Sequence, residues 1–597
     1  MCGLIAAFHG SGAGIGDDAL RAGLARMARR GPDGEGVWRE DGVALGHRRL
    51  AIIDLDPRAA QPMHSPCGRY VIAFNGEIYN YRELRRAREA AGTAFRTTSD
   101  TEVILALFAA EGEAMLPRLH GMFAFAIWDR LARRGFVARD PYGIKPLYWA
   151  RTTRGTLVAS QVRALLATAL VPREPDPEGQ AGFWLLGSVP EPHTWYRDVR
   201  AVPAGHCAWI DADRPVTPRC WHDIGDAWRA SAHARMTRAE LREVVGTALR
   251  ESVSRHLVAD VPVGVFLSAG IDSGAVAALM VEAGARSLEG ITLAYDEYSG
   301  TSRDEAPIAA RVAARYGIRH HVRRVARDEF RADLPRILDA MDQPSVDGVN
   351  TWYASKAVAE RGLKVVASGA GGDELFQGYP GFRTLPRLVT ARRVAGTLPG
   401  AVGLLRRFAE HRAHATGNAR WRLLPDWSRT IAGAWWLRRG VYGPDELASL
   451  MGADAAHVAL RDLDPSAFVA RGCGPLPADP RLALGLIESA TYLRNQLLRD
   501  GDWASMYHGV ELRTPLVDAH LLEQLRPVLR QAGRVAGKRL LAEAPATPLP
   551  TEVAARPKTG FGIPVDRWLL RNSPEGTSPG LRGWAREVAR AYEVAVA

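Results

Sequence analysis

The 597-residue sequence predicts an α+β unit followed by an α/β unit with a parallel sheet and helical additions. Three observations predict it. Residues 1–150 read as short apolar runs broken by Gly, Asn and Asp, as β-rich units with tight turns do. Residues 261–376 alternate unbroken apolar runs with helical segments, the pattern of a sheet covered on both faces. Beyond residue 380 the pattern is mostly helical. The chain is too long for one ordinary core, so two or more domains are expected.

In the first unit, "VIAFNGEIYNY" (71–81), "GMFAFAIWD" (121–129) and "GIKPLYWA" (143–150) read as strands, with helices near 17–29 and 100–110. "AVPAGHCAWIDADRP" (201–215) adds a strand and a turn, and the first domain is expected over 1–212. A polar stretch (223–236) leads to a second domain over 235–597. There Thr237 and Glu240 form a capping box. Leu241, Val244, Val245, Ala248, Leu249 and Val253 follow at helical spacing. "VPVGVFLSAGIDSGAVAALM" (261–280) is strand, small-residue turn and helix; "LEGITLAYD" (288–296) and "GLKVVASGAGGDELF" (362–376) repeat the buried strand. "RWRLLPDWSRTIAGAWWLRR" (420–439) sets four tryptophans among arginines and reads as a helical insertion packed on the core; a partner, acceptor or membrane-surface site is the alternative.

Composition excludes several classes. With 47% hydrophobic and 24% charged residues the chain is an ordinary globular protein. No apolar run reaches the roughly 18 residues of a membrane span, and the signal-peptide pattern is missing. Five scattered cysteines without CxxC suggest neither a disulfide framework nor a zinc site, which fits a reducing cytoplasm. The net charge of +11 is spread along the chain, and only five of the 77 basic residues are lysines. No nucleic-acid-reading motif accompanies it, so no nucleic-acid partner is expected; anionic small substrates such as nucleotides suit the same surface.

Three short stretches carry chemistry. Cys2 stands directly behind Met1. Removal of Met1 puts a thiol and a free α-amine on one residue, and an amine titrating near ~8 can take the thiol proton. "SAGIDSG" (268–274) lets backbone approach a ligand and opens a helix whose N-terminus favours anions. Asp272 within it suits a pyrophosphate held with magnesium. "SGAGGDELFQGY" (368–379) follows another strand of the same sheet, so Asp272 and Asp373 can face one metal–nucleotide site at the strand ends.

With these turns the chain resembles the glutamine-hydrolysing asparagine synthetase family, in which a class II glutamine amidotransferase domain is joined to an ATP-pyrophosphatase synthetase domain. The motifs run in order: "MCG", "RGPDGEG" (30–36), "HRRLAIIDL" (47–55), "QPM" (61–63), "FNGEIYNY" (74–81), "SDTEVIL" (99–105), "RDPYGIKPLY" (139–148), the two turns above, "LLRDGDWASMYHGVELRTPLVD" (497–518) and "RPKTGFGIPVDRWL" (556–569). Residues 385–480 have no clear counterpart in the family's shortest members.

The resemblance implies an αββα sandwich of the N-terminal nucleophile type, then the parallel-sheet domain. It implies that Cys2 attacks the side-chain amide of glutamine, with Arg49 on the α-carboxylate, Asp100 and Glu77 on the α-ammonium, and Asn75 and Gly76 as oxyanion hole. In the second domain it implies ATP around Leu267, Leu293, Ser368 and Gly369, with Ser268, Gly270 and Ser273 in the pyrophosphate loop. Asp272 and Asp373 would hold Mg²⁺, and Lys538 would steady the transition-state charge. Aspartate would be activated as an acyl-adenylate, and ammonia travelling inside the protein would give asparagine, AMP and pyrophosphate. One alternative is a sibling amidotransferase or cyclase acting on a peptide, amino sugar or secondary metabolite; another is a non-catalytic glutamine- or nucleotide-sensing scaffold. One departure bears on the acceptor: Ala370 stands where the family usually carries Glu or Asp. A homodimer is compatible with the resemblance, and the sequence leaves the oligomeric state open.

Overall fold

The computed structural model describes residues 2–10, 14–231, 235–416, 419–461, 464–535, 537–556, 562–564, 568 and 580–594. Two six-stranded antiparallel sheets form the N-terminal half. One runs, edge to edge, Val199–Ala201, Tyr148–Thr152, Gly155–Ala159, Gly3–Phe8, Val43–Arg49, Gly34–Glu40. The other runs Arg219–Cys220, His206–Ile210, Arg134–Arg139, Gly121–Asp129, Tyr70–Ile78, Met63–His64. Alternation along each strand sorts the layers. Leu4, Ala6 and Phe8 face the second sheet and meet Val71, Ala73, Ala124 and Ala126 between the sheets, while Ile5 and Ala7 join the core on the opposite face. Helices Asp17–Arg26 and Val162–Ala167 cover the first sheet and Asp100–Glu111 the second, giving four layers, αββα.

Three local expectations shift. The run 71–81 is strand only to Ile78, and Tyr81 opens the helix Tyr81–Ala90. The strand expected over 143–150 begins at Tyr148, because the Asp140 carboxylate gathers the N–H groups of Tyr142, Ile144 and Lys145 into a turn at 3.1, 2.9 and 2.9 Å. The first helix ends at Arg26 rather than 29, and the chain turns through Met27–Arg30.

The C-terminal half is built on five parallel strands in the order Arg319–Val325, Glu289–Tyr295, Val263–Phe266, Val365–Ala367, Glu511–Arg513. The expected capping box opens Arg238–Arg255, and Ile271–Glu282 leaves the small-residue turn as expected. The Trp-rich stretch is helical and packs on the core: Trp435 and Trp436 are each 1% exposed, and Trp436 meets Trp427 and Phe468 edge-on. Most of the motif 556–569 lies outside the described residues.

The two halves share one apolar core, and hydrogen bonds cross between them. Asp342 accepts from the backbone N–H groups of Val162 and Arg163 at 2.8 and 2.9 Å, satisfying the otherwise unpaired first turn of helix Val162–Ala167. Gln343 accepts from the Trp195 N–H at 2.8 Å. Among the described residues no helix is long and apolar enough to cross a membrane.

Candidate active site

Two chemical poles emerge. The first surrounds Cys2, which is 7% exposed at the start of strand Gly3–Phe8. Its N–H donates to Asn75 Oδ1 at 3.0 Å, and its sulfur lies 3.9 Å from the Leu50 carbonyl oxygen. Burial pushes the thiol pKa up, while the Leu50 contact and the Arg49 charge pull it down. Asn75 and Gly76 sit on strand Tyr70–Ile78 beside the nucleophile candidate. A Cβ at Gly76 would run into the Met122 carbonyl oxygen of the neighbouring strand, so the pairing of the two strands itself demands glycine. Arg49 donates to the carbonyl oxygens of Asp54 and, at 3.1 Å, Asp56, which fixes its guanidinium near Cys2. Asp100 opens helix Asp100–Glu111 and accepts from the Ile78 N–H at 3.0 Å; burial raises its pKa to about 6. Glu77 is buried, and its Oε2 has no hydrogen-bond partner among the described residues. Burial, with Glu511 and Asp100 nearby, drives the Glu77 carboxyl well above the ordinary range.

Sequence reasoning left several of this pole's groups unassigned, although all lie inside the quoted motifs. Glu511 and Arg513, both 0% exposed, come from the last parallel strand and pair at 2.6 Å. Arg513 also donates to the His256 and Val258 carbonyls at 2.7 and 2.8 Å. Against the upward pull of burial, its charge helps hold Glu511 at about 2. Arg30 donates from Nε to the Cys2 carbonyl at 3.1 Å and forks onto Asp502 at 2.6 and 3.1 Å, and Lys145 reaches the same carboxylate at 3.3 Å.

The second pole is a cleft of about 1050 Å³ at the carboxyl ends of the parallel strands. Leu267, Ser268, Gly270, Asp272, Ser273, Leu293, Ser368, Gly369, Asp373 and Lys538, far apart in the sequence, all line it. Its two turns touch: a Cβ on Gly369 would lie 2.6 Å from the Asp272 carbonyl carbon and the Ser273 nitrogen. Ser268 Oγ meets Ser273 Oγ at 2.7 Å and accepts from the Gly270 N–H at 3.1 Å, which shapes the first turn. Lys538 bridges the turns, pairing with Asp272 and, at 2.5 Å, with Asp373.

Ala370 lines the same cleft with Glu374, Asp347 and Asp500. Tyr379 donates to Glu374 at 2.7 Å, and burial lifts the Glu374 carboxyl to about 7. Ser345 and Trp503 donate to Asp500 at 2.7 and 2.8 Å; burial, helped by Asp347, lifts it to about 8. The Trp-rich helix Ile431–Arg439 contributes Arg439, whose guanidinium lies 4.6 and 3.6 Å from the Tyr379 and Tyr492 ring centres and 2.9 Å from Glu488.

Asp500 makes stability fall with rising pH. Folded, it keeps its proton to about 8; unfolded, it releases it at the ordinary 3.8. The folded state therefore binds the extra proton between these values. The stabilisation is full below the unfolded pKa and is lost as pH climbs through the folded one. Asp500→Asn is expected to shrink the fall in Tm between about pH 5 and about pH 8 by at least about 2 °C, as read by thermal denaturation at matched ionic strength. Equal slopes in both proteins would contradict the assignment.

A family model described as a glutamine amidotransferase domain matches residues 1–221, and one described as asparagine synthase matches 244–588. A provisionally named glutamine-hydrolyzing asparagine synthetase of Mycobacterium bovis is 35% identical over 607 aligned residues, covering 95% of this chain and 88% of the relative. Glutamine-hydrolyzing asparagine synthetase 1 of Bacillus subtilis is 30% identical, covering 96% and 89%. The amidase chry2 of Gibberella zeae is 34% identical over 61% of this chain and 56% of its own length. With relatives aligned along nearly its whole length and both halves matched, the chain belongs to the asparagine synthase family and is a carbon–nitrogen ligase carrying a glutamine amidotransferase domain.

Proposed function

We propose that the chain hydrolyses glutamine at Cys2 and joins the released ammonia, at the expense of ATP, to a carboxylate, with aspartate as acceptor and asparagine as product. The observation that carries this reading is the pairing, in one chain, of a buried cysteine whose backbone N–H is held by Asn75 with a strand-end cleft where Lys538 meets two carboxylates. Cys2 Sγ attacks the glutamine side-chain carbonyl carbon, and ammonia leaves as the thioester forms. Water then releases glutamate and restores the thiol. Asn75 and Gly76 offer the fixed donors that the tetrahedral oxyanion needs. Arg49 suits the α-carboxylate, and Glu77 and Asp100 suit the α-ammonium, whose positive charge would draw their raised pKa values back down.

In the cleft the acceptor carboxylate attacks the α-phosphorus of ATP, pyrophosphate leaves, and ammonia displaces AMP from the acyl-adenylate. Lys538 stands where charge builds on the departing phosphates. The residues present also fit Mg²⁺. Buried Asp272 Oδ1 has no hydrogen-bond partner among the described residues, and Asp373 shares the same ammonium. An ion of this kind is usually held by one or two carboxylates plus substrate phosphates. Asp272 and Asp373 would hold it, and it would neutralise phosphate charge. A soluble, cytoplasmic enzyme is the setting this chemistry suits.

A second reading, amide formation on a different carboxylate, is favoured by Ala370, which can neither move a proton nor orient an ammonium. General acid–base help of that kind contributes about 10²–10⁴-fold. Pyrophosphate release scanned over candidate acceptors, with asparagine measured directly, decides between them. If aspartate is the acceptor, Ala370→Glu is expected to raise asparagine formation at least about 10-fold. Pyrophosphate released with another carboxylate, and no asparagine from either protein, would establish the second reading.

A further inference from the structure

We propose that Asp502, contributed by the synthetase half, is a positioning residue for glutamine hydrolysis, acting through Arg30 on the backbone of Cys2. The inference rests on the reading of Cys2 as nucleophile.

Cys2 is held at both ends. Its N–H is fixed within the N-terminal half by Asn75 at 3.0 Å. Its carbonyl is fixed by Arg30 Nε at 3.1 Å, and Arg30 is itself aimed by a two-pronged bond to Asp502 at 2.6 and 3.1 Å. A planar guanidinium clamped by both carboxylate oxygens has little freedom left, so its Nε direction is set by where Asp502 stands. Lys145, 1% exposed, pins the same carboxylate from the side at 3.3 Å.

Burial argues that this cluster is there for geometry. Arg30 is 2% and Asp502 5% exposed, and ion pairs so deep add little stability beyond what apolar residues of the same volume give. What an apolar contact cannot supply is a directed donor on the nucleophile's own carbonyl. Asp502 is also distinct from the cleft. It lies on helix Arg499–Met506 two positions beyond Asp500, and residues two apart on a helix do not face each other. Asp500 lines the cleft, whereas Asp502 meets Arg30.

The test uses the full chain. Asp502→Asn is expected to lower kcat for glutamine hydrolysis at least tenfold, with KM for glutamine and the affinity for MgATP, titrated calorimetrically, each within threefold. Loss of the carboxylate removes a negative charge shared by Arg30 and Lys145 and leaves the surroundings of the thiol more positive, so the pH profile of Cys2 alkylation by iodoacetamide is expected to move to lower pH. Asp502→Glu, which keeps the fork, should recover most of kcat. If the single variant does not fold, Lys145→Met with Asp502→Asn keeps the cluster's net charge and carries the same kcat expectation. An unchanged kcat in a folded variant would overturn the proposal. So would a kcat loss matched by loss of MgATP affinity, since that marks general disruption. Cys2→Ala, run alongside, separates the two levels. If it stays active, the nucleophile reading itself falls; if it is inactive while the Asp502 variants remain fully active, only the positioning role falls.

Discussion

Cys2→Ala is expected to abolish glutamine-driven amide synthesis, by about 10⁴-fold or more, while ammonia-driven synthesis continues near the wild-type rate. The size of the effect follows from the thiol's own role, for which the neighbouring hydroxyl is poorly placed to substitute. Ser160 Oγ, which shares the Asn75 side chain with Cys2, already accepts from the Leu4 N–H at 3.1 Å and from Asn75 Nδ2 at 3.5 Å, and it is fully buried. Alanine removes the thiol but leaves the Asn75 and Arg30 bonds, which are made by the backbone of residue 2. Folding should therefore be spared. Glutamate release and pyrophosphate release, the latter with glutamine or ammonium chloride as nitrogen source, measure the two half-reactions separately. Glutamine-driven turnover in the variant would mean that another group attacks the amide.

Lys538→Met is expected to cut ATP-to-pyrophosphate turnover by about 10²–10³-fold, the usual cost of removing one fixed electrostatic partner from a developing charge. Glutamine hydrolysis should stay within about threefold, since Lys538 belongs to the second pole. Methionine keeps the stem's length and apolar contacts but leaves Asp272 and Asp373 facing each other without the ammonium that joins them. The variant is therefore also expected to bind ATP more weakly at low magnesium, because the two carboxylates then repel the phosphates. Pyrophosphate release near the wild-type rate would show that Lys538 merely ties the turns together.

What the sequence revealed and what it hid have physical reasons. Strands buried on both faces, such as Val263–Phe266, announce themselves as continuous apolar runs. The edge strand Arg319–Val325 reads RHHVRRV because an edge meets solvent, and so it carried no such signal. Glu511–Arg513 was missed for the opposite reason. It is only three residues long, and its polar side chains are buried as an ion pair that composition cannot distinguish from surface charge. The turn residues around Asp272 and Asp373 were legible because small residues next to a carboxylate are a local pattern. Arg30, Lys145 and Asp502 were not, since their chemistry arises only when distant segments meet.

The Arg30–Asp502 pair closes a sequence separation of 472 residues. At about 5–20 residues per second on the ribosome, Asp502 is made roughly 25–95 s after Arg30. Throughout that interval Arg30 and Lys145 lack the carboxylate that later binds them both. The grip on the Cys2 carbonyl is thus completed only when residue 502 has been synthesised and docked, so the order of translation itself delays the finished Cys2 pole until most of the second half of the chain exists.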